Sequence, residues 1–390
     1  MKLPPRNLFF ARVYYFTFMG GWGFVLPFMN LFYVSLGFNG KQIGLISSVS
    51  ALVGMFASPV WVSQVKKHPQ AQRWLQIAIL LGGIGYFLLG NQQEYPFILL
   101  LVFLHSLAAA GIMPLSDSMA VTVAQEADTG YGSVRVWASL GWIVSVLTSG
   151  WLVEHFGYLA AFIGVTSMWI FAASVVAFIQ PHHFSSKLSP AQPQTNLRLA
   201  FQRVLHNRTL LGFALALIVI GFLNNGVLQF EYVFLEELGA SKRLISVAGI
   251  LSAIVEVPFM IYADRIVRRV GGHRLMLVAV SMTFLQRIII FLFPFIPTIL
   301  ILRFLGGVAF SFYTIAFVNL ISTQTASWET GTVLALYTVT IGGLVSIMAA
   351  PLAGAIFDAI GAHWLYLLSA GGYVIGGLSL WLTQPETKAD

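Results

Sequence analysis

No cysteine occurs among the 390 residues, which excludes disulfides and thiolate metal sites. The chain is also poor in charge. Asp, Glu, Lys and Arg make up 9% of it, against roughly 25% in soluble domains, too little to cover a large soluble surface. H-E-x-x-H, G-x-S-x-G and Walker A sequences are missing. With them go the usual signals of a zinc peptidase, a serine hydrolase or an ATP-driven machine. His182 and His183 stand side by side in a polar stretch and are a weak metal hint at best. No enzymatic activity, metal or cofactor is expected.

What is present is apolar: 58% of residues are hydrophobic, with 32 phenylalanines. A membrane-crossing helix needs about 20 mainly apolar residues. Runs between turn signals give twelve such spans, at 8–36, 43–63, 72–90, 95–124, 134–154, 157–180, 209–237, 242–264, 273–293, 297–326, 329–357 and 363–383. The alternating segments of a β-barrel are absent. Three basic residues in Met1–Arg12 precede an apolar run too long for a secretory signal and without a cleavage site, so the first run reads as a permanent span. The formal charge of +7 does not point to nucleic acid, because it is unevenly spread. Only Lys41, Lys242 and Arg243 lie on one set of alternating loops, and Arg287 and Arg303 lie within spans. The rest of the 21 Lys and Arg fall on the other loops and the termini. This is the positive-inside pattern. It places both termini in the cytoplasm and the basic residues among lipid headgroups, with a bacterial inner membrane expected.

The two halves repeat. Leu26, Phe28, Leu36, Gly37 and Lys41 correspond to Leu228, Phe230, Leu238, Gly239 and Lys242, and Gly132-Ser-Val to Gly331-Thr-Val. Gly150-Trp-Leu-Val-Glu154-His-Phe-Gly157 corresponds to Gly354-Ala-Ile-Phe-Asp358-Ala-Ile-Gly361. The longest polar stretch separates the halves, with Pro181-His-His, Ser189-Pro and Gln192-Pro marking a linker. Within it, Leu197, Ala200, Phe201, Val204 and Leu205 share one helical face, which suits a surface helix or a solvated one. The expected fold class is an all-α integral membrane protein with twelve transmembrane helices in two six-helix pseudo-symmetric bundles. Residues 1–180 form the first bundle, 181–208 a cytoplasmic linker and 209–390 the second bundle. Repeats of this kind are a transporter architecture, with solute held near the midplane.

Two loops carry a resemblance. Lys66-Lys67 and Asp264-Arg265-Ile-Val-Arg268-Arg269-Val-Gly271-Gly-His-Arg274 resemble the loop signature of the major facilitator superfamily. The first copy departs from it, with Ser63 and Gln64 where an acid is usual. The resemblance implies a conformational role for Asp264, Arg265 and Arg268. Pro114-Leu-Ser-Asp117-Ser-Met-Ala and Tyr131-Gly-Ser-Val-Arg135-Val-Trp-Ala-Ser-Leu-Gly-Trp142 resemble the lactose permease and phenylpropionic acid transporter branch. That resemblance implies solute binding by Asp117, Arg135 and Trp142. It also implies proton coupling by the acid and arginine of spans eight and nine, Glu256 and Arg287. The His and Glu that the permease carries in span ten are absent from Arg303-Phe-Leu-Gly306-Gly307-Val-Ala309, so that relay cannot be carried over intact.

The residues themselves support sites here, because a charge in hydrocarbon costs several kcal/mol unless paired or wet. Asp117 and Arg135 lie equally far from the turn near Glu126, which predicts similar depth and an acid–arginine pair. Arg135 and Trp142 are seven residues apart and share a helix face. An arginine beside an indole suits a hydroxylated ring or an aromatic carboxylate. Glu256 and Arg287 are spaced to meet across the turn at Gly271-Gly272, as a coupling site or as a permanent helix clamp. Glu231 and Arg303 lie about 8 residues from their own hairpin turns and could complete a four-charge network; a snorkelling Arg303 is the alternative. Asn30 and Asn224 are candidate cavity-lining residues, with interhelical hydrogen bonding as the plain alternative. Lone His105 reads as a core residue.

The expected function is secondary active transport, as proton-coupled symport of a small organic solute by alternating access. The solute classes are a sugar or oligosaccharide, or an aromatic carboxylate such as a phenylpropionate. An uncoupled facilitator, a nucleoside or drug transporter of the same fold, and a non-transporting membrane sensor are the alternatives. The proton gradient is the expected energy source and a monomer the expected state. Solute, protons and lipid are the expected partners, and nucleic acid is not one.

Overall fold

The computed structural model describes residues 6–66, 70–180 and 197–384; the side chains of Lys66, Leu197, Val257, Ile261, Ala263, Asp264 and Ser327 are outside that description. The prolines, serines and histidines of the linker, and Lys67, also lie outside the described residues. Regular structure among the described residues is entirely helical. Hydrocarbon offers no hydrogen-bond partner to the backbone, so a crossing segment must satisfy its N–H and C=O groups internally. Among the described residues, twelve helices are long and apolar enough to cross a membrane: Arg6–Ser35, Gly40–Val65, Ala71–Gly90, Tyr95–Glu126, Gly132–Phe156, Leu159–Val176, Arg208–Glu237, Lys242–Met260, Gly272–Leu292, Ile296–Gln324, Trp328–Ile360 and Ala362–Leu382. They are called spans one to twelve below. Each falls within a few residues of its expected run.

Four spans carry an interruption of the plain α-helix. Span one tightens into a 3₁₀ turn at Leu26–Phe28, around Pro27. Prolines sit inside span two at Pro59 and inside the helix of span eight at Pro258, where each removes a ladder hydrogen bond. Span eleven carries a π-helical turn at Leu336–Ile341.

One compact unit holds Met1–Phe38, Val49–Pro190 and Ser241–Val247. Its spine is span one, packed along spans five and six. Gly141 lies so close to the Phe16 carbonyl that a Cβ there would overlap it, and Ser149 Oγ donates to the Phe24 carbonyl at 2.5 Å. Close approach through small residues is how helices associate where no hydrophobic force separates protein from solvent. Trp169 of span six is fully buried and donates from Nε1 to the Phe18 carbonyl at 3.0 Å. Its indole lies among Phe18, Trp22, Tyr86 and His105. His105 also packs 4.2 Å from the Tyr86 ring, an aromatic core position.

The other unit holds Asn39–Ser48, Ala191–Ala240 and Ala248–Asp390. Span seven packs along spans eleven and twelve, and span nine along spans ten and twelve. Gly307 abuts the Ser252 carbonyl, where any side chain would clash. The linker helix Leu197–His206 places Ala200 and Val204 in this unit's core and leaves Phe201 and Leu205 exposed. Arg203 sits 3.6 Å from Glu329.

The sequence repeat reappears as backbone geometry. Gly37 and Gly239 adopt φ of 82° and 89°, and Gly157 and Gly361 adopt 76° and 81°, a region that side chains disfavour. The repeat also pairs two acids in equivalent jobs. Asp358, ending span eleven, accepts the Gly40 and Lys41 N–H groups at 2.6 and 2.9 Å. Glu154, near the end of span five, accepts the Arg243 N–H at 3.0 Å and lies 3.2 Å from the Arg243 guanidinium. Each carboxylate thus meets the unsatisfied donors and positive dipole end of another helix, span two or span eight. A lost cap costs about 0.5–2 kcal/mol. Asp358→Ala and Glu154→Ala should each lower the melting temperature of the detergent-purified protein, with the double variant near the sum. Unchanged melting would show that these caps contribute nothing.

Candidate functional site

Asp117 lies midway along span four, half-buried. Its Oδ1 accepts two phenols, Tyr15 of span one at 2.6 Å and Tyr131 at 2.7 Å. Burial, and after it the bond to Asp117, pushes the Tyr131 hydroxyl up to about 12, so it remains a donor at physiological pH. The neighbouring Tyr14 and Ser116 hydroxyls bond each other at 2.6 Å. Both phenols use the same carboxylate oxygen, and Oδ2 takes no hydrogen bond among the described residues.

The expected Asp117–Arg135 ion pair is not formed among the described residues. Tyr131 stands four residues before Arg135, close enough for their charges to interact, and its hydroxyl reaches the acid instead. A tyrosine clamp therefore replaces the pair, with Arg135 beside it and half-buried. Trp142 is half-buried further along the same helix, its main chain packed on Gly23 of span one. Asn30 follows the 3₁₀ turn of span one and is half-buried. The amide of Asn224 is engaged across helices, its Oδ1 accepting the Ser369 hydroxyl at 2.7 Å.

The second cluster forms in the other unit. Arg303 of span ten and Glu231 of span seven meet at 2.8 Å, each side chain only 13% exposed. Arg303 also lies over the Tyr232 ring at 5.2 Å. The contact is one of charge more than of aligned hydrogen bonding: Glu231 Oε1 and Arg303 Nε are buried without a hydrogen-bond partner. Arg287 of span nine is 7% exposed and sits over the Tyr366 ring at 5.8 Å. Tyr366 of span twelve lies within electrostatic reach of Glu231, Arg287 and Arg303. Its hydroxyl is buried and interacts with Glu231 without a close, aligned hydrogen bond. Three of the four expected charges thus share one neighbourhood. Glu256 is half-buried midway along span eight, where its carbonyl accepts the Ser311 hydroxyl at 3.1 Å.

Arg265 and Arg268, expected in a loop, lie on the helix that continues span eight to Val270; both are exposed, and Arg265 lies 5.7 Å from the Tyr262 ring. The Asp264 side chain is outside the described residues. Sequence reasoning missed Tyr15, Tyr131 and Tyr366. It paired Glu154 with Asp358 through the repeat without giving either a role. Tyr131 was the findable one: it opens the same segment that holds Arg135 and Trp142.

Comparison with known proteins agrees with this architecture. Residues 9–368 match the model of the MFS_1 like family. The maltose permease of Geobacillus stearothermophilus is 29% identical over 274 residues, covering 68% of this chain and 66% of its own. The protein named "Probable 3-phenylpropionic acid transporter" of Escherichia coli (strain K12) is 22% identical over 366 residues, covering 91% and 93%. A crystal structure of a variant of the nucleoside transporter NupG superposes with a TM-score of 0.84 at 16% identity, covering 97% of this chain and all of that one. The chain belongs to the MFS_1 like family and is a multi-pass membrane transporter of the major facilitator fold.

Proposed function

We propose that the chain is a proton-coupled symporter of a small organic solute, working by alternating access. The observation that carries this reading is the Glu231–Arg303 contact in the interior of spans seven and ten. A proton on the Glu231 carboxylate would weaken this contact and free the Arg303 guanidinium. A buried carboxylate held ionised by one guanidinium can change state when that guanidinium is engaged elsewhere. Coupling is assigned to Glu231 and Arg303, with Glu256 as the further acid of the same half.

Solute binding is assigned to Asp117, Arg135 and Trp142, with Asn30 as a further lining residue. The spare Oδ2 of Asp117 suits a hydroxyl donor, and Arg135 with Trp142 suits a ring that carries oxygens. A sugar and an aromatic carboxylate both satisfy that description, and relatives named for each support it. The protein acts as a monomer in a bacterial inner membrane with both termini in the cytoplasm. It needs no cofactor beyond the proton gradient.

Two experiments bear on this reading. Cells expressing the protein, de-energised and lightly buffered, should show transient external alkalinisation when a transported sugar, nucleoside or arylpropionate is added, and an Arg135→Ala strain should not. Saturable uptake of labelled solute without any pH change would instead establish an uncoupled facilitator. Neither uptake nor a pH change with any solute would favour a sensor. The second separates coupling from mere structure. Arg303→Met alone strands Glu231 and should cost about 3–5 kcal/mol of stability, and adding Glu231→Met should recover most of it. The recovered double variant should exchange solute across proteoliposomes yet fail to accumulate it against a gradient. Normal accumulation by that variant would overturn the assignment of coupling to this pair.

A further inference from the structure

Resting on the transporter reading above, we infer that Arg287 is a carboxylate-binding residue, so that the solute is a monoanion whose carboxylate docks on the Arg287–Tyr366 face. The argument begins with what Arg287 lacks. It is 7% exposed, yet its Nε has no hydrogen-bond partner among the described residues. Its neighbours are the Tyr366 ring at 5.8 Å and, within electrostatic reach, Tyr373. A ring face attracts a guanidinium weakly and satisfies none of its N–H donors. A buried guanidinium with an open donor and no carboxylate in contact is a costly group for a protein to hold, and inside a membrane it marks a functional position.

Charge balance indicates what completes it. Glu231 is consumed by Arg303 at 2.8 Å. One carboxylate and two guanidiniums within reach of Tyr366 leave this group of three with a surplus of one positive charge. A single monoanion cancels that surplus; a dianionic phosphate would overshoot it. Planar geometry favours a carboxylate as well, because a guanidinium presents paired N–H donors that match its two oxygens. The Tyr366 hydroxyl, buried in this group beside Glu231 without a close, aligned hydrogen bond, supplies a further donor. The same docking has a consequence for coupling. A carboxylate beside Arg287 places a second negative charge near Glu231, which favours a proton on Glu231. Solute and proton are then taken up together.

The test uses purified full-length protein in detergent and the probe 3-phenylpropionate, compared with its neutral amide. Benzoate and phenylacetate serve as further monocarboxylates. Binding is read calorimetrically for the native chain, Arg287→Gln, Arg287→Lys and Tyr366→Phe, each checked for a monodisperse elution peak. The native chain should bind at least one of these carboxylates about tenfold to a hundredfold more tightly than the matching amide, the range of one bidentate charged contact. Arg287→Gln should bind acid and amide alike. Arg287→Lys should recover part of the preference, which a folding defect would not give. If no carboxylate binds the native chain, or if Arg287→Gln keeps its preference for the acid, the inference is wrong. Proteoliposome uptake of labelled maltose and uridine separates this failure from failure of the transporter reading. Uptake of either neutral solute, unaffected by Arg287→Gln, would leave a transporter without a carboxylate site.

Discussion

Hydrocarbon cannot solvate a charge, and every ionisable side chain inside a span must therefore find its solvent in the protein. The two halves of this chain meet that demand differently. In the first, Asp117 is solvated by neutral donors, the hydroxyls of Tyr15 and Tyr131. In the second, Glu231 is solvated by the cation of Arg303. The distinction has chemical weight. Phenols hold a carboxylate without cancelling its charge, and Asp117 keeps one oxygen to offer. An arginine does neutralise its acid, so breaking the contact uncovers two opposite charges that must each find another partner.

The repeat gives the backbone its symmetry and leaves the chemistry asymmetric. Glycines with positive φ recur at Gly37 and Gly239 and at Gly157 and Gly361. Prolines recur within spans two and eight, and capping acids recur at Glu154 and Asp358. These devices shape helix ends and bends, and both halves need the same shapes. Asp117, Glu231, Arg287 and Arg303 have no such relation. A shared fold with unshared interior charges is what is expected when function is carried by side chains placed on a scaffold.

Much of this was legible in the sequence. The twelve spans were, because hydropathy is a one-dimensional quantity and a bilayer imposes a fixed length on it. Equal distances to hairpin turns put Glu231 and Arg303 at similar depth, as members of a four-charge network or with Arg303 snorkelling, and did not single out their contact with each other. The Asp117–Arg135 pair was predicted on the same ground and did not form. Distance from a turn gives depth along the membrane and says nothing about rotation around a helix axis, and it ignores competitors. Tyr131 is such a competitor, one turn nearer the hairpin than Arg135. Tyr366 was invisible for a different reason: one aromatic residue among many in apolar spans carries no local mark. The capping roles of Glu154 and Asp358 depend on helix starts about 90 and 320 residues away, beyond any local pattern.

A buried ion pair is seldom worth its place on stability alone, since well-packed apolar residues of the same volume do as well or better. The Glu231–Arg303 contact is a poor pair by that standard, with Glu231 Oε1 and Arg303 Nε both left unsatisfied. Arg287 nearby is poorer still, facing a ring in place of an acceptor. A scaffold built only to stand would have closed these bonds with one more amide or hydroxyl, as Ser369 does for Asn224 in the same unit. In the proposed symport, open bonds of this kind are what would let a proton or an anion select among the charge states of the cluster, the property a coupled transporter requires of its interior.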